Sequence, residues 1–286
     1  MLRTCSWNVN GGRNDVASYL EENIFPDFNI ICLQELHDVM CPDIERYHIP
    51  ENPNYLDKKI DTHLYGELVK IAGSDFHCYF APQLEGLHDT SPCEGVLYGN
   101  ALFVRKILPV VLYSSGMVYG QVNQPNTEAE GGAPAGKSGQ VVTIQYKATS
   151  LTVGHFHGHW SIQGKVNTSK RMKQNQGVEH LFAPHVMLHG HQRRVLLLGD
   201  FNYTSKMQAL QNLIHASMFG HTGKRVGGIH LNTKYGITDT RTPQYPKKER
   251  EADHAIASKA LVGELSSCVV DPEVPSDHAL FFVDIR

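Results

Sequence analysis

The chain has 286 residues, 41% of them hydrophobic, and a formal net charge of −3. That is enough apolar material for a substantial core, and large two-layer α/β folds of this length commonly run undivided, so one domain over 1–286 is expected. The acidic balance gives no general attraction to phosphate polymers, although a local basic groove remains compatible with it. No stretch of about 18 apolar residues is present to span a membrane. The opening Met1-Leu2-Arg3-Thr4-Cys5-Ser6-Trp7 lacks the basic-then-apolar pattern of a signal peptide, which predicts an intracellular, cytoplasmic protein. The six cysteines are scattered without a CxxC pair, and Cys5 and Cys32 fall inside apparent core strands. Reduced, partly buried thiols fit this pattern better than a disulfide framework.

Leu2 to Val9 reads as a strand ending in Asn8-Val9-Asn10-Gly11-Gly12, a double-glycine breaker that lets backbone approach a ligand. Asn14-Asp15 is a candidate cap for a helix through Val16, Leu20 and Ile24, stopped by Pro26. Phe28 to Leu33 is a second buried strand delivering Gln34-Glu35 at its C-terminal end. Residues 40–60 look irregular, a helix is expected from Asp61 to Ala72, and short strands from His77 to Ala81 and from Tyr98 to Val104, with a loop from Leu84 to Cys93 between them. Thr127 to Gly139 is rich in Gly, Ala, Glu and Pro, and is expected to be a mobile surface loop because strand-like sequence resumes on both sides.

Gln140 to Tyr146 and Ser150 to His157 read as neighbouring strands, the second ending in His155-Phe156-His157-Gly158-His159. Alternation puts the three histidines on one side. Three ligands at i, i+2 and i+4 of one strand make an awkward zinc site, so one functional histidine beside two structural or surface ones is the better reading. His157, next to the glycine where the strand must open, is the candidate; His155 would lie one pleat deeper in a buried hydrogen bond, and His159 on the rim. Thr168-Ser169 caps a helix towards Phe182, with Met172, Val178 and Leu181 inward and Lys170, Arg171 and Lys173 outward, where they form a solvated face or meet phosphate.

Val195-Leu196-Leu197-Leu198 is too short for a helix and reads as a central strand leading into Gly199-Asp200-Phe201-Asn202. An aspartate there is costly unless paired, hydrogen-bonded or facing a cation, although the tetrapeptide also reads as a plain strand-ending turn. A helix from Lys206 to Met218, a polar stretch from Arg225 to Arg250, and strands from Ala252 to Ser258, Leu261 to Val270 and Ala279 to Ile285 complete the chain. Asn8, Glu35, Asp200, Asn202, Asp253 and Asp277 thus stand at strand ends, with His157 and His278 beside them. Hard oxygen donors plus imidazoles, with no Cys among them, suit Mg²⁺ or Mn²⁺ better than a thiolate-bound metal.

In this order, Ser6-Trp7-Asn8-Val9-Asn10-Gly11, Leu33-Gln34-Glu35, Gly99-Asn100-Ala101, Phe156-His157-Gly158, Gly199-Asp200-Phe201-Asn202, Ala252-Asp253 and Ser276-Asp277-His278 resemble the endonuclease/exonuclease/phosphatase superfamily. The resemblance implies an α+β, four-layer α/β sandwich: two mixed β-sheets packed face to face, helices on the outer faces, and a cleft at one rim. It also implies Mg²⁺- or Mn²⁺-dependent hydrolysis of phosphoesters. By position, Glu35 would be the principal metal ligand with Asn8 supporting it and Asp277 a further metal-site acid. Asp200 would orient or deprotonate the attacking water, Asn202 would position water or phosphate, and His278, held by Asp253, would contact the scissile phosphate opposite His157. Asn10, Asn100 and Arg171 stand as substrate contacts.

Two departures stand out. The apurinic-site endonuclease branch carries a Tyr-x-Pro-Asn signature where this chain has His155-Phe156-His157-Gly158, and an aspartate at the position of Asn10. The tyrosine that often follows the histidine-holding aspartate is His254 here, a change expected to be tolerated, with the cleft wall as the place it could alter. Nucleic acid is the leading substrate. A phosphatase or lipid-headgroup phosphodiesterase is the alternative, favoured by the acidic balance and the lack of basic–aromatic interleaving. An inactive binding module of the same fold is opposed by the retained charges.

Overall fold

A computed structural model describes residues 1–13, 15–48, 59–87, 93–123, 136–160, 168–188, 193–220, 227–246 and 248–286. The alternation of each apolar strand assigns its two faces, and those faces assemble two mixed sheets. The first has the order β11 (Leu265–Asp271), β12 (Leu280–Ile285), β1 (Leu2–Asn8), β2 (Ile30–Val39), β4 (Val96–Arg105), β3 (Phe76–Glu85). The second has the order β5 (Val110–Tyr119), β6 (Lys137–Tyr146), β7 (Thr149–Phe156), β8 (Val195–Asp200), β10 (Asp253–Ala257), β9 (Ile229–His230). Leu2, Cys32, Leu102, Val142, Val153, Leu196, Leu198 and Val283 meet between the sheets. Their strand neighbours Ile31, Leu33 and Phe103 face outward instead, against α1 (Val16–Tyr19), the turn after it and α2 (Leu64–Ala72) through Val16, Leu20, Leu64 and Leu68. Val195, Leu197 and Ile256 pack outward on α3 (Ser169–Val186) and α4 (Gln208–Ile214) through Val178, Phe182, Leu210 and Leu213. The result is the expected four-layer sandwich.

Strand direction decides where the chemistry collects. β1 runs parallel to β2, and β7 parallel to β8, so each pair ends at the same edge of its sheet. β12 is antiparallel to β1 and β10 to β8, so these two begin where the parallel pairs end, with Asp253 directly opposite Asp200. The ends of β1, β7 and β8, the middle of β2 and the beginnings of β10 and β12 therefore converge on one rim.

Several elements differ from the sequence reading. β2 does not stop before Glu35; it bulges between Leu33 and Leu36 and resumes pairing to Val39. β5 has no counterpart in the sequence reading, because its half-exposed residues give no clean alternation. β6 begins at Lys137, so the end of the expected 127–139 loop is strand, and its 127–135 portion lies outside the described residues. Leu84 and Glu85 belong to β3, not to a loop. Leu261 lies in a short helix over Lys259–Val262 that delays β11 to Leu265. In α3 the inward face is polar: Arg171, Gln174 and Asn175 are buried beside Val178 and Phe182, while Met172 and Leu181 sit at the edge of the core. Asp15 makes no side-chain cap for α1, and the chain continues from α1 into a wider π-helical turn over Leu20–Ile24.

One close approach locks β7 to β8 at the rim. The Gly158 amide donates to the Asp200 carbonyl at 2.6 Å, and the Gly158 carbonyl accepts from Asn202 Nδ2 at 3.2 Å. A Cβ on Gly158 would fall onto the Phe201 backbone carbonyl, which has no flexible end to move aside. Gly158→Ala should therefore separate the strand ends and cost on the order of 1–3 kcal/mol, as overpacking does. Thermal unfolding should show a melting temperature several degrees lower; an unchanged value would mean that this contact is slack.

Candidate active site

The site grows from Asn8, the last inward-facing residue of β1 after Leu2, Thr4 and Ser6. Its Oδ1 accepts from the Asn10 amide at 3.0 Å, which turns Nδ2 into the rim. Nδ2 donates to Glu35 Oε1 at 2.8 Å and to Asp200 Oδ2 at 3.0 Å. One amide therefore joins two buried carboxylates from opposite sheets. Glu35 reaches this point because it occupies the β2 bulge, with a positive φ of 63°. Asp200 follows Gly199, whose φ of 142° suits glycine, and its Oδ1 accepts from the Asn202 amide at 2.9 Å.

Two histidines flank the carboxylates. His157 Nε2 lies 3.5 Å from Glu35 Oε1 and 3.8 Å from Asp200 Oδ2, with Nδ1 3.4 Å from the Tyr98 hydroxyl. His278 Nε2 lies 3.4 Å from Asp200 Oδ2, and its Nδ1 is held by both oxygens of Asp253 at 3.1 and 3.0 Å. The segment carrying His278 is fastened to β1. Trp7 Nε1 donates to the His278 carbonyl at 3.0 Å, and Ser276 Oγ donates to the Asn8 carbonyl at 2.8 Å. Glu35, His157 and Asp200 form one cluster able to hold a metal ion, and Asp200, Asp253 and His278 another.

The protonation states follow from this crowding. Burial opposes ionisation of Asp200, yet the charges of His278, His157 and Arg241 outweigh it and hold the carboxyl well below its usual range. Burial and the Arg241 charge oppose protonation of His278, but Asp253 and Asp200 prevail and raise it above its ordinary value. Asp253 is itself raised, by burial first, against the pull of His278. We take the pair as an imidazolium on His278 steadied by Asp253, because both Asp253 oxygens face the same ring nitrogen.

The remaining sequence candidates are distributed differently. Asp277 belongs to neither cluster; its carboxylate accepts from Arg241 Nη1 at 3.3 Å. Asn202 sits under the β7–β8 connection, its side chain on the Gly158 carbonyl. Asn10 accepts from Arg13 Nη1 at 2.6 Å at the edge of the rim. Asn100 is fully buried between the sheets, accepting from Gln83 and donating to the Ser138 carbonyl at 2.8 Å. Arg171 does not point outward. It is buried, with Nη2 donating to the carbonyls of His159 at 3.2 Å and Asn202 at 3.1 Å, so it braces the loops that carry the site.

Of the three clustered histidines, His155 lies between the sheets, its ring between Gln34 and Gln140 at 3.0 Å each, and burial lowers its pKa to about 3. His159 is not on the rim: it is buried, its amide donating to Gln174 Oε1 at 2.7 Å, because the polar face of α3 draws the chain inward after β7. His254 lies behind the site and not in the cleft wall, its ring 3.0 Å from both His230 Nε2 and the Tyr203 carbonyl. Sequence reasoning missed Arg241. This residue is buried within the field of Asp200, Asp253 and Asp277, 4.3 Å over the Tyr245 ring, and bridged through its backbone to His278. A single arginine in a polar, irregular stretch carries no periodic signal; the Asp239–Arg241 turn is the one local hint.

Comparison with known proteins places this geometry. A family model described as the endonuclease/exonuclease/phosphatase family matches residues 5–278. The chain belongs to that family. No curated protein sequence matches it. Among solved structures, an endonuclease/exonuclease/phosphatase family protein from Leptotrichia buccalis superposes with a TM-score of 0.64 at 15% identity, covering 100% of both chains. A mannosyl-6-phosphatase from Bacteroides thetaiotaomicron gives 0.60 at 14% identity, again covering 100% of each. TDP2 from D. rerio, complexed with a single strand DNA product, gives 0.57 at 14% identity, covering 99% of this chain and 97% of that one. These likenesses show the endonuclease/exonuclease/phosphatase fold. Members of this family are generally phosphoester hydrolases and generally depend on a divalent metal.

The Asp253–His278 pair has a titration consequence. With its pKa raised, His278 stays protonated as pH passes the ordinary histidine value of about 6.5. The stability linked to this charge is therefore complete below that pH and is lost as pH rises through the raised midpoint. In Asp253→Asn, NMR of the His278 ring should show a lower midpoint; an unchanged midpoint would mean that Asp253 does not hold the charge.

Proposed function

We propose that the chain is a divalent-metal-dependent phosphodiesterase with nucleic acid as its leading substrate class. The observation that carries this reading is the pair of carboxylates, Glu35 and Asp200, held by the single Asn8 amide and flanked by His157 and His278. Two buried carboxylates this close repel one another, and oxygen donors without thiolates match a hard cation. The residues therefore fit Mg²⁺ or Mn²⁺, with Glu35 and Asp200 as the groups that would hold it. Bound there, the ion would neutralise charge on the non-bridging oxygens of the phosphoester.

The chain's own groups supply the rest. Asp200 is a carboxylate and sits where it can accept a proton from an attacking water or orient it. Asn202 fixes the Asp200 carboxylate through its amide. The His278 imidazolium, kept charged by Asp253, donates from Nε2 to a phosphate oxygen. His157, across the carboxylates from His278, meets the phosphate or the leaving oxygen from the other side. Buried Arg241 adds a fixed positive charge behind the phosphate site and holds Asp277.

TDP2 with its DNA product supports the nucleic-acid reading through the shared fold. The net charge of −3 and the mannosyl-6-phosphatase neighbour support a second reading, hydrolysis of small phosphoesters. A substrate panel with Mg²⁺ or Mn²⁺ separates them: plasmid DNA, single strands, an abasic duplex, inositol phosphates and bis-p-nitrophenyl phosphate. Cleavage of DNA and of the synthetic diester, abolished by EDTA and restored by metal, is expected. Cleavage of monoesters alone would transfer the reading to a phosphatase, and full activity after exhaustive chelation would overturn metal dependence.

A further inference from the structure

Arg241 lies outside every motif that marks the rim in the sequence, yet the fold sets it among the acids. Its backbone is tied down from several sides. The amide donates to Asp239 Oδ1 at 3.1 Å, the carbonyl accepts from Arg250 Nη2 at 2.8 Å, and the residue forms an antiparallel bridge with His278. Thr242 adds two bonds to the segment that carries the rim acids, from Oγ1 to the Ser276 carbonyl at 2.6 Å and from its amide to the Asp277 carbonyl at 3.1 Å. With the side chain buried and 4.3 Å over the Tyr245 ring, the guanidinium is a fixed charge.

An ordinary ion pair would need only Asp277, whose Oδ2 accepts from Nη1 at 3.3 Å. That bond is long, and Nε makes no hydrogen bond among the described residues. The charge of Arg241 is shared more widely, and is felt by Asp200 and Asp253 ahead of Asp277. Asp200 and Asp253 belong, with His278, to the second cluster able to hold a cation, in which the ligand atoms lie within 4.8 Å of one another. This cluster shares Asp200 with the first, formed by Glu35, His157 and Asp200. Two cations on one shared carboxylate repel, and only a surplus of negative charge around both lets them coexist.

The rim has no such surplus. Asp253 is matched by the His278 ring that it grips, and Asp277 by Arg241. Glu35 and Asp200 remain, and their two negative charges are those that one divalent cation balances. Resting on the divalent-metal reading, we propose that the rim takes a single cation, at Glu35 and Asp200, and that the Arg241 guanidinium stands in the electrostatic place of a second. Arg241 is then a positioning residue, acting through Asp200 and Asp253 to set the metal stoichiometry.

Mn²⁺ titration of the purified chain, followed by electron paramagnetic resonance, counts the ions and shows whether two of them interact. Wild type should bind one Mn²⁺ with the spectrum of an isolated ion. Arg241→Gln, which removes the charge, should take up a second ion at least about tenfold more tightly than wild type does, the scale of one unit charge a few ångströms away in a partly screened site. The two ions should show the line broadening of spin-coupled neighbours. Arg241→Lys, which keeps the charge, should stay at one. A coupled pair in wild type or in Arg241→Lys overturns the proposal, even if Arg241→Gln does not fold. A folded Arg241→Gln that gains no coupled ion also overturns it, and leaves Arg241 as the partner of Asp277 only. Wild type that binds no Mn²⁺ removes the metal reading itself, whereas a coupled pair in wild type removes this inference alone.

Discussion

The architecture depends on one amide. Asn8 ends a strand of the first sheet, yet its Nδ2 holds both Glu35 of the same sheet and Asp200 of the other. Burying an ionised carboxylate costs several kcal/mol, and burying two side by side adds their repulsion. The fold tolerates this because each acid is surrounded by donors: the Asn8 amide for both, the Asn202 backbone and His278 for Asp200, and His157 beside Glu35. Such an arrangement gains little stability by itself. It costs least when a cation and an anionic substrate complete it.

Below the rim, a polar layer sets how the sheets face one another. Hydrophobic contact between Leu198, Val153, Cys32 and Leu102 is non-directional and would tolerate sliding. Gln34 from β2 reaches the His155 ring on β7, whose other nitrogen meets Gln140 on β6. Gln140 in turn donates across to the Tyr79 carbonyl on β3, and Asn100 on β4 donates to the Ser138 carbonyl on β6. These buried hydrogen bonds have geometry to satisfy, so they fix the register of one sheet over the other. With that register set, Glu35 and Asp200 arrive within reach of the same amide. The outer braces act likewise: buried Arg171 and Gln174 on α3 hold the backbone of His159 and Asn202, which fixes the loops on either side of Gly158.

Much of this was legible in the sequence because burial and chemistry share a pattern there. Apolar runs such as Val195–Leu198 end in a polar residue, and parallel pairing turns that punctuation into a common rim. The layers, and the grouping of Asn8, Glu35, Asp200, Asp253, His157 and His278, follow from the polar residues that close or open the apolar runs. What escaped has physical reasons. A bulge keeps Glu35 inside a continuing strand, and no residue type announces it. The inward face of α3 is polar because it binds backbone, so amphipathic reasoning sent Arg171 to the surface. The same face buries His159, whose position beyond Gly158 suggests the rim. Arg241 acts through charges contributed by β8, β10 and the segment before β12, which are separated along the chain.

The central claim is that Glu35 and Asp200, joined through Asn8, form a divalent-cation site. It is tested most directly by Mn²⁺ titration of the purified chain, followed by electron paramagnetic resonance, without any substrate. Wild-type protein should bind Mn²⁺ in a defined site. Glu35→Gln, which keeps the shape and removes one charge, should weaken that binding at least about tenfold, as loss of an oxygen-anion ligand from a hard-cation site does. Equal binding in wild type and Glu35→Gln would contradict the account.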